Sequence, residues 1–173
     1  MKRMMLLILS SLFLLFPLSV FASGYDISPG VTVQLNQVCT LRSGPGNQYA
    51  GLGKYGKDDQ ILYAYSAVRG SSGGWWIQIE IRSDGRARRG YVSADDVNLD
   101  PSSLPKESQL GQAQVTQSST LAYGPGSGYG HAKSTVESGS TVTIINYENG
   151  YAQIEYTDES GKIQRGWISS NAL

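Results

Sequence analysis

The sequence predicts an all-β protein, and three observations carry that prediction. The segment TLRSGPGNQY, which begins at Thr40, returns eighty residues later as TLAYGPGSGY at Thr120, with six of ten positions identical. Segments such as WWIQIEI alternate apolar and polar residues, which is typical of a half-buried strand. The chain contains 21 glycines, and no long segment with helical periodicity follows residue 22. We therefore expect short strands joined by tight turns.

Residues 1–22 have the order of a secretory signal peptide. A basic start, MKR, precedes an uncharged apolar run, and the small residues of VFA suit cleavage after Ala22. Pro17 interrupts the run, which is shorter than the roughly 18 to 20 apolar residues of a membrane span. We expect export to the periplasm or the cell exterior without integral membrane contact. An uncleaved amino-terminal anchor is the alternative.

The charge balance argues against nucleic acid as a partner. Of 14 Lys and Arg residues, two precede the predicted cleavage site, which leaves 12 basic against 14 acidic side chains. Binding to phosphates needs a concentrated basic face, which this balance does not provide. A local cluster of arginines is predicted to be a solvated hairpin loop. Its members are Arg82, Arg86, Arg88 and Arg89.

Cys39 is the only cysteine, so the chain can form no internal disulfide. Strand alternation places Cys39 on the same face as Leu41, two residues away. The pattern predicts a buried, inert thiol. An intermolecular bridge or a reactive thiol is the alternative.

Each Gly-Pro-Gly segment predicts a sharp turn after a strand. Proline suits the second position of the turns at Gly44 and Gly124 because its φ angle is already fixed. Glycine suits the third position, where a type II turn needs a positive φ. We therefore expect a type II turn in both places.

Two hairpins complete the pattern. In the first half, Asp84-Gly85 suits a two-residue turn, which pairs Ile77 with Val92 and Gln78 with Tyr91. In this register Ile77, Ile79 and Ile81 point inward and the polar residues between them point outward.

The second half supports an equivalent hairpin. A three-residue loop centred on Ser160 pairs Ala152 with Ile168 and Gln153 with Trp167. The repeats are predicted to span residues 31–99 and 112–173.

Residues 100–111 form the expected linker, because they contain two prolines and few apolar residues. Units of about 60 residues bury little core. The two copies are therefore expected either to lie apart or to pack together as one closed, two-lobed domain.

The ordered set of motifs resembles the bacterial SH3-like domain family. The family's strand reads roughly L-N-V-R-S-G-P, and CTLRSGPG places Cys39, Thr40 and Leu41 in the first three positions. GGWW supplies the family's tryptophan at Trp76, and RGYVSADDV resembles its closing strand, with Tyr in place of Trp.

The second copy resembles the family with one departure. STLAYGPG carries Ala122 and Tyr123 where the family has Arg and Ser, whereas NGYAQIEY and RGWISSNAL fit. The resemblance covers nearly all of the chain after the signal and implies two tandem small SH3-like β-barrels joined by a short linker. It also implies an accessory module of secreted or envelope proteins, some of which bind cell-wall peptides in a groove near the turn.

Aromatic residues on the predicted outward faces are the first candidates for a ligand site. Alternation places Trp76 and Tyr91 beside the polar residues of the first hairpin, and Tyr151 and Trp167 beside those of the second. Such a shelf of rings suits peptides or sugars. In the alternative, barrel curvature, the sister copy or a loop covers these rings.

Further candidates lie near the turns. Tyr49 and Tyr129 follow the Gly-Pro-Gly segments, and Trp75 precedes Trp76. In a groove near the turn, Arg42 would pair with a ligand carboxylate by a two-pronged contact. A surface salt bridge from Arg42 to Asp58, Asp59 or Asp95 is the alternative.

The sequence predicts no catalytic centre, cofactor or metal site. A Cys–His nucleophile would need Cys39 and His131 close together, but the pattern places them in different copies. No cluster of His, Cys and carboxylates has the spacing of metal ligands.

Two functions remain as hypotheses. The first is an exported, non-catalytic module that binds cell-envelope material, above all peptidoglycan peptides. The second is a protein-interaction partner of an envelope enzyme, such as an inhibitor, an immunity factor or an adaptor.

Overall fold

A computed structural model describes residues 30–57, 62–83 and 85–173 of the chain. The expected signal peptide lies outside the described residues, as do Asp58, Asp59 and Asp84. The described part contains twelve strands and three short 3-10 turns, so the all-β prediction is confirmed. None of the helical turns in that part is long and apolar enough to cross a membrane.

The first six strands form one antiparallel sheet, which we call lobe 1. They are β1 (Val31–Val33), β2 (Cys39–Arg42), β3 (Gly51–Tyr55), β4 (Leu62–Arg69), β5 (Trp75–Ser83) and β6 (Arg86–Ser93). Their order in the sheet is β1-β4-β5-β6-β2-β3.

The other six strands form a second antiparallel sheet, which we call lobe 2. They are β7 (Gly111–Gln114), β8 (Ser119–Ala122), β9 (His131–Val136), β10 (Thr141–Glu148), β11 (Tyr151–Thr157) and β12 (Ile163–Ser169). Their order, β7-β10-β11-β12-β8-β9, repeats that of lobe 1 strand for strand. Within the described residues no ladder joins β3 to β1 or β9 to β7, so each sheet is open.

Both predicted hairpin registers are confirmed. Ile77 pairs with Val92 and Gln78 pairs with Tyr91 across β5 and β6. Ala152 pairs with Ile168, and Gln153 with Trp167, across β11 and β12. Residues two apart on these strands therefore share a face, and the polar positions of the two hairpins correspond one to one.

Each sheet folds around an apolar cluster. Leu41, Ile77, Ile79 and Val92 lie in the cluster of lobe 1, together with the predicted buried thiol of Cys39. Val136, Val142, Ile154 and Ile168 occupy the corresponding cluster of lobe 2.

The prediction of a half-buried hairpin strand is wrong for β5. Residues from Trp76 to Ile81 are all buried, including Gln78 and Glu80, which were expected to face outward. The physical reason is that lobe 2 covers the polar face of lobe 1, as the contacts described below show.

The prediction of a type II turn at Gly-Pro-Gly is also wrong. Gly46 does not have a positive φ, and the φ of Gly126 is 159°, which is close to extended. In each turn the third residue donates its N–H to the carbonyl of the first: Gly46 to Gly44 at 3.0 Å and Gly126 to Gly124 at 3.1 Å. A hydrogen bond across a single residue is the pattern of a γ-turn, and the φ that proline imposes suits its inverse form.

The expected linker lies against lobe 1. A 3-10 turn at Pro101–Ser103 begins at Asp100, whose side chain accepts a hydrogen bond from the Ser102 N–H. Leu104 is buried in the apolar cluster of lobe 1. The backbone of Ala67 in β4 donates to Pro105 and accepts from Glu107. We call residues 100–110 the connecting segment.

Candidate functional site

The polar faces of the two hairpins meet at the centre of the molecule. The amide of Gln78 donates to the side-chain oxygen of Gln153 at 3.0 Å, which joins equivalent positions of the two lobes. Both amides also donate to the hydroxyl of Tyr91 at 3.0 Å. All three side chains are buried, so the centre of the interface is a closed hydrogen-bonded cluster.

Arg89 is the cation of this interface on lobe 1. It lies opposite Glu80 in the register of β5 and β6, and its Nη2 donates to that carboxylate at 2.9 Å. Its Nη1 donates to Glu148 of lobe 2, and the ring of Tyr65 lies 3.8 Å from the guanidinium carbon. Burial alone would lower the pKa of Arg89, but the bond to Glu148 and the surrounding charges raise it.

Arg165 has the same position in lobe 2. It lies opposite Glu155 in the register of β11 and β12, and its Nε donates to that carboxylate at 2.8 Å. Its Nη1 donates to Glu107 at 2.6 Å and to the hydroxyl of Tyr91 at 2.9 Å. Each buried guanidinium thus meets two carboxylates, which offsets the large cost of removing a charge from water.

The tyrosine after each Gly-Pro-Gly turn reaches into the other lobe. The hydroxyl of Tyr49 donates to Glu155 at 2.7 Å, and that of Tyr129 donates to Glu80. A Cβ atom placed on Gly44 or Gly124 would lie closer than 3.0 Å to ring atoms of the tyrosine five residues later. The duplicated motif therefore provides the space that lets a tyrosine cross between the lobes.

The expected exposure of the aromatic shelf is wrong. Tyr91 is 0% exposed, Trp167 is 1% exposed and Trp76 is 8% exposed, whereas Tyr151 is half-buried. The sister lobe covers Tyr91, which is the alternative that the sequence left open. Whether these rings contact a ligand stays a prediction.

The side chains of Arg42 and Trp75 form contacts within lobe 1. The Nη1 of Arg42 donates to the backbone carbonyls of Asn47 at 3.2 Å and Tyr49 at 3.1 Å, so it holds the loop that carries Tyr49. Trp75 is half-buried, and the guanidinium of Arg69 lies 4.3 Å from its ring centroid.

The prediction of a solvated arginine cluster is wrong for one member. The side chain of Arg82 is 66% exposed, as expected, but that of Arg89 is only 2% exposed. A signal for this difference was present in the sequence. Gln, Glu and Arg recur at equivalent register positions of the two hairpins. Residues that only face water would not need to repeat in this way.

A cleft of about 300 Å³ opens between the lobes, beside this interface. Ser43, Ala50 and Leu52 line it from lobe 1, and Tyr123, Lys133 and Gln164 line it from lobe 2. The buried arginines of both lobes also reach it, and no acidic residue is part of its described lining. Its volume is at the lower end of the range for small-ligand sites, about 300–1,000 Å³.

Two buried polar atoms of the cleft lining have no hydrogen-bond partner among the described residues. They are the Oγ of Ser43 and the Nε of Arg89. Buried polar atoms are nearly always paired, so these two are exceptions, and surrounding protein atoms shield both from solvent.

The groups considered for catalysis lie in different lobes. Cys39 is in the apolar cluster of lobe 1, where burial and the nearby charge of Asp96 raise the pKa of its thiol to about 11. His131 is exposed at the start of β9 in lobe 2. The described residues contain no group of His, Cys, Asp and Glu that could hold a metal ion.

Comparisons with known proteins do not assign a family. The chain matches no model of a known protein family, and it matches none of the curated proteins with which it was compared.

Proposed function

We propose that this protein is an exported, non-catalytic binding module that recognises peptides of the cell envelope, peptidoglycan peptides above all. In this proposal each open sheet is the body of an SH3-like barrel, residues 31–99 and 112–173 are the two modules, and export follows cleavage near Ala22. The observation that carries the proposal is the cleft between the lobes, which basic, hydroxyl and amide side chains line.

The chemistry of the cleft suits a short peptide. Peptides present carbonyl oxygens and carboxylates, which are acceptors, and the cleft lining presents guanidinium, ammonium, hydroxyl and amide donors. The interlobe cluster fixes the two walls of the cleft relative to one another, because Gln78, Gln153 and Tyr91 hydrogen-bond to one another across the interface. A rigid, pre-formed site loses little entropy on binding.

Co-sedimentation with purified peptidoglycan tests this function. The chain from residue 23 onward is expected to bind in a saturable way. Lys133→Glu, which reverses the charge of an exposed residue in the cleft lining, is expected to weaken binding about tenfold. Lys162→Glu is the matched control, because Lys162 is also exposed but lies outside the lining.

The outcomes separate the two functional hypotheses. Absence of sedimentation with peptidoglycan contradicts the proposed function. Recovery of one stoichiometric envelope protein by the same chain would instead favour the role of inhibitor, immunity factor or adaptor.

A further inference from the structure

We propose that the interlobe cleft binds a short, extended peptide as an added strand between β9 and β3. This proposal deepens the proposed function and rests on it for the peptide nature of the ligand. Its own evidence consists of the outermost strands that border the cleft, a backbone junction that forms on only one side of the molecule, and the small side chains of the lining.

The cleft lies between the outermost strands of the two sheets. β3 is the last strand of lobe 1 and β9 is the last strand of lobe 2, and in the described part of the chain each pairs on one side only. Residues 50–52 and 132–134 bring these two strands to the cleft. An outermost strand presents backbone N–H and C=O groups with which a further strand can pair.

Both ladders are irregular at the cleft. Leu52 has no register partner in β2, and Ala132, Lys133 and Ser134 have none in β8. Bulges are common next to active sites, where they bend a strand or end its pairing. The carbonyl of Leu52 accepts a hydrogen bond from the Nη1 of Arg88, so β9 is the principal strand for pairing with a peptide.

A backbone junction between the lobes forms on one side of the molecule. The N–H of Arg89 in β6 donates to the carbonyl of Tyr123 in lobe 2 at 2.7 Å. The equivalent residues on the other side are Arg165 and Ser43, and the described backbone contains no hydrogen bond between these two. Both of them line the cleft. The cleft is therefore continuous with the interlobe interface, at the place where the lobes do not pair.

The lining allows another backbone to come close. Most of the strand residues that border the cleft have small side chains, and glycine in a strand often marks a place where a second backbone approaches. The small residues are Ala50, Gly51, Ala122, Ala132, Ser134 and Gly166. Three residues of a strand span about 10 Å, so the three-residue segment of β9 in the lining pairs with a peptide of about three residues.

The proposed contact is between backbones and does not depend on charge. The two buried guanidiniums of the lining, those of Arg89 and Arg165, each already meet two carboxylates. When a peptide adds to the edge of a sheet, main-chain hydrogen bonds provide the affinity. A neutral peptide is therefore a sufficient ligand.

An NMR titration of the chain from residue 23 onward tests the proposal with a matched pair of neutral probes. N-acetyl-trialanine methylamide keeps every backbone N–H, whereas its analogue with a methyl group on the nitrogen of the second alanine lacks one donor. The first is expected to bind about three- to tenfold more tightly, with the largest shifts at the amides of residues 50–52 and 132–134. Equal binding of the two probes, no binding, or shifts confined to other residues would overturn the proposal.

Two further measurements distinguish strand pairing from other contacts. Saturation with the first probe is expected to slow hydrogen exchange at the amides of residues 132–134, because a new backbone partner protects them. N-acetyl-trialanine with a free carboxylate is expected to bind with the same affinity as the methylamide. Unchanged exchange, or clearly tighter binding of the acid, would contradict recognition through the backbone.

A matched pair of glycine variants locates the site. Gly51 is exposed in the lining, and the nearest atom to a Cβ placed there is the Cγ2 of Thr40, at 3.4 Å. Gly51→Leu is therefore expected to fold and to weaken binding of the first probe about tenfold, because its side chain obstructs the approach to β3. Gly128→Leu is the control, since Gly128 is exposed outside the lining and a Cβ there meets no atom within 4 Å. Equal binding by a folded Gly51→Leu variant would overturn the site.

These results are separable from those with peptidoglycan. Binding of the alanine peptide that Gly51→Leu weakens, without any sedimentation with peptidoglycan, supports strand addition and contradicts the envelope function. Sedimentation with peptidoglycan that Gly51→Leu leaves unchanged supports the function and overturns this mode of binding.

Discussion

The two lobes use the same residues to hold a buried arginine but obtain the second carboxylate from different places. Arg89 pairs with Glu80 of its own hairpin, and Arg165 pairs with Glu155 of its own hairpin. The second partner of Arg89 is Glu148, at the end of β10 in the opposite lobe. The second partner of Arg165 is Glu107, which belongs to the connecting segment.

The register explains this difference. Glu148 pairs with Tyr151 at the start of the second hairpin, and the corresponding position in lobe 1, opposite Trp76, carries Val68. Lobe 1 therefore has no acid to offer to Arg165, and the connecting segment supplies one. The comparison shows that the connecting segment is part of the interface between the lobes.

The first prediction compares the two carboxylates that the repeat shares. Glu80→Ala should lower the free energy of unfolding by about 3–5 kcal/mol, because it removes a buried partner from Arg89 and from Tyr129. Glu155→Ala should lower the free energy of unfolding by less, because the side chain of Glu155 is 20% exposed and that of Glu80 is 1% exposed. Chemical denaturation measures both. Equal losses would show that burial does not distinguish the lobes.

The second prediction tests the connecting segment. Leu104→Ala should cost about 2–5 kcal/mol, because Leu104 is 6% exposed and packs in the cluster of lobe 1. Leu110→Ala, in the same segment, should cost less than about 0.5 kcal/mol, because Leu110 is 38% exposed. Chemical denaturation again gives the comparison. A segment that merely links the lobes would show small losses for both variants.

The third prediction tests the duplicated turn. Gly44→Ala and Gly124→Ala should each cost about 1–3 kcal/mol, because the added methyl group meets the ring of Tyr49 or Tyr129. Gly128→Ala is the control, since a Cβ there would meet no atom within 4 Å. Thermal melting compares the three variants. A loss in only one lobe would mean that the two crossing tyrosines do not have equivalent roles.

Much of the fold could be predicted from the sequence, because strand pairing is local. The register of each hairpin follows from alternation and loop length, which is why the Ile77–Val92 and Ala152–Ile168 pairs were predicted correctly. The same alternation placed Gln78 and Glu80 on the face opposite the isoleucines, and they do lie there.

The interface could not be predicted in the same way, because alternation distinguishes two faces but does not say what covers each. A polar face is normally the solvent face. Here Gln78 also bonds to Gln153, 75 positions away, and Arg89 also bonds to Glu148, 59 positions away. The turn was misjudged for a related reason. The pattern gave a conformational role to Gly46 and none to Gly44, whereas the structure shows that Gly44 makes room for a ring that crosses to the other lobe.

The last prediction uses pH to sharpen the comparison at Glu80. Burial alone would raise the pKa of Glu80, but hydrogen bonds from Tyr129, Arg89 and Arg82 outweigh it and hold the pKa below its ordinary value of 4.5. A carboxylate whose pKa is lower in the folded state stabilises the fold at pH values above its pKa in the unfolded chain. This stabilisation is lost as the pH falls through the folded pKa. The melting temperature should therefore fall below about pH 4.5.

The matched variant for this measurement is Glu80→Gln, which keeps the shape of the side chain and cannot ionise. Its melting temperature should be lower than that of the native chain at pH 7 and should depend less on pH below 4.5. Asp158→Asn provides a comparison outside the interface cluster, because hydrogen bonds from Ser160, Gln164 and Lys162 lower the pKa of this half-buried carboxyl to about 2. The contribution of Asp158 should therefore persist down to about pH 2. If Glu80→Gln followed the native curve throughout, the carboxylate of Glu80 would contribute no pH-dependent stability, and Glu148 would be the main anionic partner of Arg89.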